Sequence, residues 1–201
     1  ADATTIRYVS NGGNLHNAIY SCTETSDEII LPTAQDITRA NSTFVGWLNK
    51  DFGDKDGIAT SIPAGRCVSD NDFIEFSALW KCNTGYTDSA SGVACDAVNY
   101  NISYELNGGE NSANNPTTYT IESSDINFAN PTRTNSTFVG WYADANFENE
   151  KNQITSGSIG KVTVYAKWSC NDGYHSNEKG DACVGNIITI AYDENGGTAV
   201  N

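Results

Sequence analysis

The chain has 201 residues and a formal charge of −14, from 11 Lys plus Arg against 25 Asp plus Glu. A chain this acidic repels phosphate groups, which argues against nucleic-acid partners and anionic membrane surfaces. No apolar run approaches the roughly 20 residues of a membrane span, so no membrane insertion is expected in this segment. Charged residues make up only 18% of the chain, and the abundance of Thr, Asn, Ser, Gly and Tyr is typical of a β-rich protein with many turns.

Three segments share the pattern Ile-x-Tyr-x-x-Asn-Gly-Gly, and each is predicted to be an opening strand followed by a tight turn. They begin at Ile6, Ile102 and Ile190. Ile and Tyr two positions apart face the same side of a strand. Asn-Gly then supplies the positive φ angles that a tight turn needs. The predicted turn residues are Asn11, Gly12, Asn107, Gly108, Asn195 and Gly196.

The copies differ after the first turn. Leu15, Ala18 and Ile19 are spaced in a way that is compatible with a short helix, which gives the chain an α+β tendency. The matching part of the second copy contains Pro116, which interrupts any helix, so that segment is expected to be extended.

The string NSTFVGW occurs at Asn41–Trp47 and again at Asn135–Trp141. Gly46 and Gly140 stand directly before the Trp, which indicates a bend or bulge that turns the indole inward. The closing segments FIEFSALW and KVTVYAKW alternate with period two, as half-buried strands do. The large rings are therefore predicted to form the core of each copy. These residues are Phe44, Trp47, Trp80, Phe138, Trp141 and Trp168.

An acidic loop follows the first copy of the string and contains Asp51, Asp54 and Asp56. An EF-hand counted from Asp54 would place Ile58 at position five and Gly65 at position twelve, so that pattern fails. The three acids are weak calcium candidates, and no other metal or cofactor is expected. No catalytic residues are predicted, because the marked residues recur in matched copies and no enzyme motif is present.

Six cysteines contain two matched pairs in the frame Cys-Asn-x-Gly-Tyr…Ala-Cys, with twelve residues between the two cysteines of each pair. No C-x₂₋₄-C zinc pair occurs, so disulfides and an oxidising compartment are favoured. The loop symmetry favours Cys82–Cys95 and Cys170–Cys183, which leaves Cys22 and Cys67 to pair, although six cysteines allow 15 pairings. We call the segments between the paired cysteines, Cys82–Cys95 and Cys170–Cys183, cysteine loop 1 and cysteine loop 2.

The segment from Tyr100 to Trp168 resembles a Listeria–Bacteroides repeat, the internalin B-repeat family. The resemblance is carried by the opening strand with Asn-Gly-Gly, the block PTRTNSTFVGWY and the closing VYAKW. The first copy matches more loosely, and the cysteine loops depart from the family pattern. The resemblance implies tandem β-grasp, ubiquitin-like modules in a bacterial surface protein, with adhesion, spacing or protein-binding roles.

These features predict a mostly β chain of five parts. Repeat 1 spans 1–81, a cysteine-loop linker 82–98, repeat 2 99–169, a second linker 170–185, and the first strand and turn of a third repeat 186–201.

Three hypotheses for its function remain open, all of them extracellular. In the first hypothesis, the chain is part of a surface stalk or fibre on a bacterial cell, and its partners are neighbouring repeats of the same or an identical chain. In the second, it is a filament subunit that donates its last strand to another chain. In the third, it is an adhesin module that binds host protein or glycan through exposed Tyr and Asn. The residues proposed for strand donation are Ile187, Ile188, Ile190 and Tyr192.

Overall fold

The computed structural model describes residues 2–193 and residue 195. The chain forms two compact units, unit 1 (Ala1–Val98) and unit 2 (Asn99–Asn201). Each unit contains one repeat and the cysteine loop that follows it. No helix in the described residues is long and apolar enough to cross a membrane. The predicted turn residue Gly196 lies outside the described residues.

Unit 1 is built from short strands around three longer ones. Its strands are β1 (Thr4–Val9), β2 (Asn14–Leu15), β3 (Ser21–Cys22), β4 (Ile29–Ile30), β5 (Ile37–Thr38), β6 (Ser42–Leu48), β7 (Ile58–Ala59), β8 (Ser61–Ile62), β9 (Phe73–Cys82), β10 (Tyr86–Asp88) and β11 (Cys95–Ala97).

The main sheet of unit 1 has the strand order β3-β1-β9-β6-β7. The opening strand β1 and the closing strand β9 lie side by side and run parallel, whereas β6 pairs with β9 in the antiparallel direction. Alternate residues of β9, namely Ile74, Phe76 and Ala78, are buried. The period-two pattern of the sequence therefore decides which face of β9 is covered.

Unit 2 repeats this plan with fewer strands. Its strands are β12 (Tyr100–Glu105), β13 (Thr118–Tyr119), β14 (Ile126–Asn127), β15 (Ser136–Tyr142), β16 (Gln153–Ile154), β17 (Val162–Cys170), β18 (Tyr174–Ser176) and β19 (Cys183–Gly185). The main sheet has the order β13-β12-β17-β15, again with a parallel pair of opening and closing strands.

A β-bulge interrupts the repeated string in both units. The pairing of β6 with β9 shifts between Phe44 and Gly46, and that of β15 with β17 shifts between Phe138 and Gly140. Residues three apart on a regular strand face opposite sides, but the extra residue of a bulge changes this. As a result, the rings of Phe44 and Trp47 meet on the core side, with centroids 5.3 Å apart.

The Trp that ends each string is the largest fully buried side chain of its unit. Trp47 and Trp141 are each 1% exposed. A buried indole N–H needs an acceptor, and in both units a backbone carbonyl supplies one. Trp47 Nε1 donates to Pro32 O at 2.8 Å, and Trp141 Nε1 donates to Ala129 O at 3.2 Å. Each indole is thereby fixed in orientation as well as buried.

The mostly β character is confirmed, but the helical contribution is not seen, because residues 2–193 and 195 contain strands, turns and bends and no helix. The segment with helical spacing starts instead as β2, where Asn14 and Leu15 pair with β5. The backbone N–H of His16 then bonds to Asp36 O at 2.8 Å. Since so short a segment nucleates a helix poorly, pairing with a distant strand decides its conformation. The β-grasp assignment, which requires a helix packed on the sheet, is not confirmed.

Candidate functional site: a repeated arginine–disulfide clamp

The Asn-Gly-Gly turn follows the opening strand and is hydrogen-bonded to the closing strand of the same unit. Asn11 and Asn107 have positive φ angles of 49° and 48°, a conformation that Asn tolerates better than most residues. The Asn11 side-chain amide donates to Ala78 O at 2.7 Å, and that of Asn107 donates to Ala166 O at 2.8 Å. The Asn therefore makes the turn and also ties it to the middle of the closing strand.

The first Gly of the motif lies directly under the cysteine loop. A Cβ atom added to Gly12 would lie 1.9 Å from Val93 O, and one added to Gly108 would lie 1.7 Å from Asp181 O. Both glycines also have positive φ angles, 84° and 82°. Only a residue without a side chain fits there, because turn conformation and contact with the cysteine loop exclude Cβ independently.

The second Gly makes room for the Trp that lies two residues before the end of the closing strand. A Cβ atom on Gly13 would lie 2.5 Å from a ring carbon of Trp80, and one on Gly109 would lie 2.5 Å from the same carbon of Trp168. Each of these indoles also donates its N–H to a backbone carbonyl just before the turn. The acceptors are Ser10 O and Leu106 O, both at 2.9 Å.

An arginine connects these parts in unit 1. Arg39 Nε donates to Ser42 Oγ at 2.8 Å, and its other nitrogens contact Asn11 O at 3.1 Å and Cys95 Sγ at 3.2 Å. Its guanidinium lies over the ring of Trp80, 5.2 Å from the centroid. One side chain thus contacts the repeated string, the turn, the disulfide and the closing strand.

Unit 2 contains the same arrangement. Arg133 Nε donates to Ser136 Oγ at 2.8 Å. One terminal nitrogen donates to Asn107 O at 2.8 Å and Gly180 O at 3.3 Å, and the other contacts Cys183 Sγ at 3.2 Å. We call these two arrangements, centred on Arg39 and Arg133, the arginine clamps.

Partial burial affects the pKa of the arginine in the second clamp. Desolvation lowers the pKa of the Arg133 guanidinium, and the nearby Asp181 carboxylate opposes that effect. A guanidinium nevertheless keeps its charge at any physiological pH. The charge is compensated by hydrogen bonds and by the face of Trp168, 5.1 Å away. The clamp is therefore a structural device that fastens a cysteine loop onto its own repeat.

The structure contains the disulfides Cys22–Cys67, Cys82–Cys95 and Cys170–Cys183, the pairing that the loop symmetry favours. None of the six cysteines is free. Cys95 and Cys183, which face the clamps, are buried. The ring residues predicted to form the core lie in two clusters, one in each unit. Trp47 and Trp141 are buried, and Phe44, Trp80, Phe138 and Trp168 pack against them partly buried.

The acidic loop is organised by its own backbone. Asp54 Oδ1 accepts the N–H groups of Asp56 and Ile58 at 2.8 and 3.1 Å, and these bonds lower the pKa of the carboxyl. Asp144 accepts backbone N–H groups in the matching loop of unit 2 and has a lowered pKa for the same reason. The predicted calcium candidates Asp51, Asp54 and Asp56 do not form a group with metal-ligand spacing within the described residues.

One group in the described part of the chain has metal-ligand spacing, and its chemistry does not suit a metal. Cys82, Asp88 and Cys95 lie together, but the two sulfurs form a disulfide. Cysteine binds a metal as the thiolate, which a disulfide sulfur is not, so the disulfide accounts for this group. The two histidines lie in different units, His16 against Thr38 and His175 against Asn186.

Sequence patterns missed the arginine clamps, although a signal was present. Arg39 and Arg133 occupy the same position in the two copies, three residues before Ser42 and Ser136. An Arg repeated beside the repeated string indicates a shared contact, but several of its acceptors are far away along the chain. Cys95 and Cys183 lie 56 and 50 residues from their arginines, so only the folded structure identifies them.

Comparison with known proteins supports the repeat assignment directly. A family model described as the Listeria-Bacteroides repeat domain matches residues 5–65 and 100–167. Neither the search of curated proteins nor the search of solved structures found a match. The two matched segments cover more than half of the chain, and one lies in each unit. The chain therefore belongs to the Listeria-Bacteroides repeat domain family.

Proposed function

We propose that the chain is part of an extracellular tandem-repeat protein that forms a stalk or fibre on a bacterial cell surface. The observation that carries the proposal is the matched cysteine loop in each unit, closed by a disulfide and clamped by arginine onto its repeat. Disulfides of this kind persist in oxidising compartments. The family and the acidity of the chain also favour an exposed location. Its role is structural rather than catalytic, and its nearest partners are neighbouring repeats.

Surface labelling of intact source cells tests the location. A membrane-impermeant amine reagent should label the protein on whole cells, and a thiol reagent should label it only after reduction. A protein that is protected on whole cells and reacts with the thiol reagent without reduction would contradict the proposal. A cytoplasmic protein from the same cells serves as the control for lysis.

Strand donation is a second candidate, supported by the segment after Gly185. In residues 186–193, which the structure describes, the apolar side chains are exposed and no strand is formed. The matching residues Ile6 and Ile102 are buried beside parallel closing strands. The segment would therefore pair with the closing strand of a further repeat, on the same chain or on another one. The exposed fractions are 93% for Ile187, 85% for Ile188, 69% for Ile190 and 84% for Tyr192.

Comparing the sedimentation of the 201-residue chain with that of a variant ending at Gly185 distinguishes the strand-donation hypothesis from the stalk hypothesis. Association that grows with concentration and requires residues 186–201 supports strand donation. Identical sedimentation of the two chains at all concentrations would contradict it.

An adhesin role is a third candidate, supported by a concave surface found in unit 1. Its lining includes Asn49, Phe52, Arg66, Asn71 and Glu75. Amide and carboxylate side chains beside an aromatic ring are groups that bind sugars and polar protein surfaces. Glycan-array binding by the chain, lost in Arg66→Ala, supports this role. Equal binding by the variant would exclude this surface.

A further inference from the structure

The first and last strands of each repeat are direct neighbours. In unit 1, β1 and β9 pair in parallel from Thr5↔Phe73 to Val9↔Ser77. In unit 2, β12 and β17 pair in parallel from Ile102↔Val162 to Glu105↔Tyr165. Because the two strands of each pair point the same way, the chain enters at one end of the pair and leaves at the other.

This arrangement determines how tension acts on a repeat. A pull on the two ends of the chain moves the opening and closing strands of a unit past each other along their length. All the residue pairs of the ladder then resist together, five in unit 1 and four in unit 2. If the strands were pulled apart from one end, the pairs would break one after another. Buried side chains on both strands, including Ile6 and its register partner Ile74 in unit 1, resist the same sliding.

We propose that each repeat is a mechanical clamp that bears tension between neighbouring parts of the chain. This inference deepens the proposed stalk function and rests on it, since a stalk that attaches to another surface must transmit force. Its geometric basis lies in the two parallel strand pairs of the described residues.

The point where load leaves a repeat is reinforced. Cys82 ends β9, and its disulfide to Cys95 gives the load a direct path with the two Cα atoms 5.7 Å apart. Residues 83–94 therefore carry no tension while the disulfide is intact. Arg39 and Ser42 contact Cys95 Sγ at 3.2 and 3.1 Å. The arginine clamp thus fastens the exit point to the same sheet that bears the load.

A third disulfide limits the length of chain that unit 1 releases if its strands separate. Cys22 and Cys67 are 45 residues apart, which corresponds to about 160 Å of extended chain at roughly 3.5 Å per residue. That length stays closed as long as the disulfide is intact. Each cysteine loop, with its 13-residue separation, withholds about 45 Å in the same way.

Single-molecule pulling of the full chain in two geometries tests the proposal. Handles at the two chain ends load β12 and β17 in shear. The unfolding of unit 2 is recognised by an increase in chain length of about 245 Å, which comes from the roughly 70 residues between Tyr100 and Cys170. Handles at Thr134 and Asn171 of the same chain instead separate β15 from β17, beginning at the pair Ser136↔Cys170. We expect end-to-end pulling to need at least about twice the force, because four pairs share the load instead of one.

Equal or lower force in the end-to-end geometry would overturn the proposal. A second arm compares the oxidised chain with the double variant Cys22→Ala/Cys67→Ala, which should release about 160 Å more from unit 1. No added length would refute the role of that disulfide. The forces of unit 2 serve as the internal control, since that unit is unchanged. Surface labelling of cells decides the stalk location separately, so failure of one proposal is distinguishable from failure of the other.

Discussion

Replacing Arg133 by alanine removes the arginine clamp of unit 2 and leaves that of unit 1 intact. The lost contacts are the hydrogen bonds to Ser136 Oγ and Asn107 O, both at 2.8 Å, and the weaker contacts to Gly180 O and Cys183 Sγ. Hydrogen bonds to a charged donor are worth about 1.5–3 kcal/mol each when buried. Arg133 is only partly buried, so we take the lower end of that range.

The two short bonds and the contact with Trp168 together give a loss of about 3–4 kcal/mol. Lysine at the same position keeps the charge but loses the planar fork of donors. We therefore expect Arg133→Lys to lose about half as much, or roughly 1.5–2 kcal/mol. An exposed lysine of the same unit, Lys161, provides the matched control, and Lys161→Ala should stay within about 0.5 kcal/mol of the parent.

Hydrogen exchange followed by mass spectrometry measures the effect separately in the two units. Peptides from β15 and β17 should lose protection in Arg133→Ala, while peptides from β6 and β9 should not. Arg39→Ala should produce the reverse pattern. A loss below about 0.5 kcal/mol in unit 2 would refute the clamp, because surface substitutions away from special contacts produce changes of that size.

Three further predictions concern other parts of unit 2. Trp141→Ala should lower the free energy of unfolding by about 3–5 kcal/mol in chemical denaturation, and an unchanged melting point with loss of a binding partner would mean that the string is a recognition surface. Gly108→Ala should lower the melting temperature more than Gly173→Ala does, because Gly173 has a similar φ of 84° but open space around its Cβ position. Equal shifts in melting temperature would show that contact with the cysteine loop does not add to the cost of the substitution. Burial raises the pKa of Tyr104 to about 12, so its contribution to stability is present below pH 10 and is lost as the pH rises through 12. Tyr104→Phe should flatten that alkaline dependence in pH-dependent unfolding, and an unchanged slope would contradict the assignment.

Short patterns in the sequence predicted the local features of the repeat. Alternation predicted the closing strands, and the Gly before each Trp predicted the bulge that the register shows between Phe44 and Gly46. Asn-Gly predicted the positive φ angles of the turn, 49° at Asn11 and 84° at Gly12. These features could be predicted because each depends on the covalent geometry of a few neighbouring residues.

Other features of the molecule depend on partners far along the chain. Periodicity shows which side of a strand is apolar, but it does not show which strand lies beside it, so the parallel pairing of β1 with β9 was not predicted. The same limit explains the segment at Leu15, whose spacing is compatible with a helix and whose backbone pairs with β5 instead. Segment length and tertiary hydrogen bonding decided that case.

The sequence by itself determined that the chain is repeated, β-rich, acidic and stapled by matched cysteine loops. Only the tertiary structure decided what those loops do. It places cysteine loop 1 over Gly12 and brings Cys95 against Arg39, 56 residues away. The physical reason is that a guanidinium satisfies its donors in space rather than along the chain, and folding alone brings the turn, the disulfide and the bulged strand within its reach.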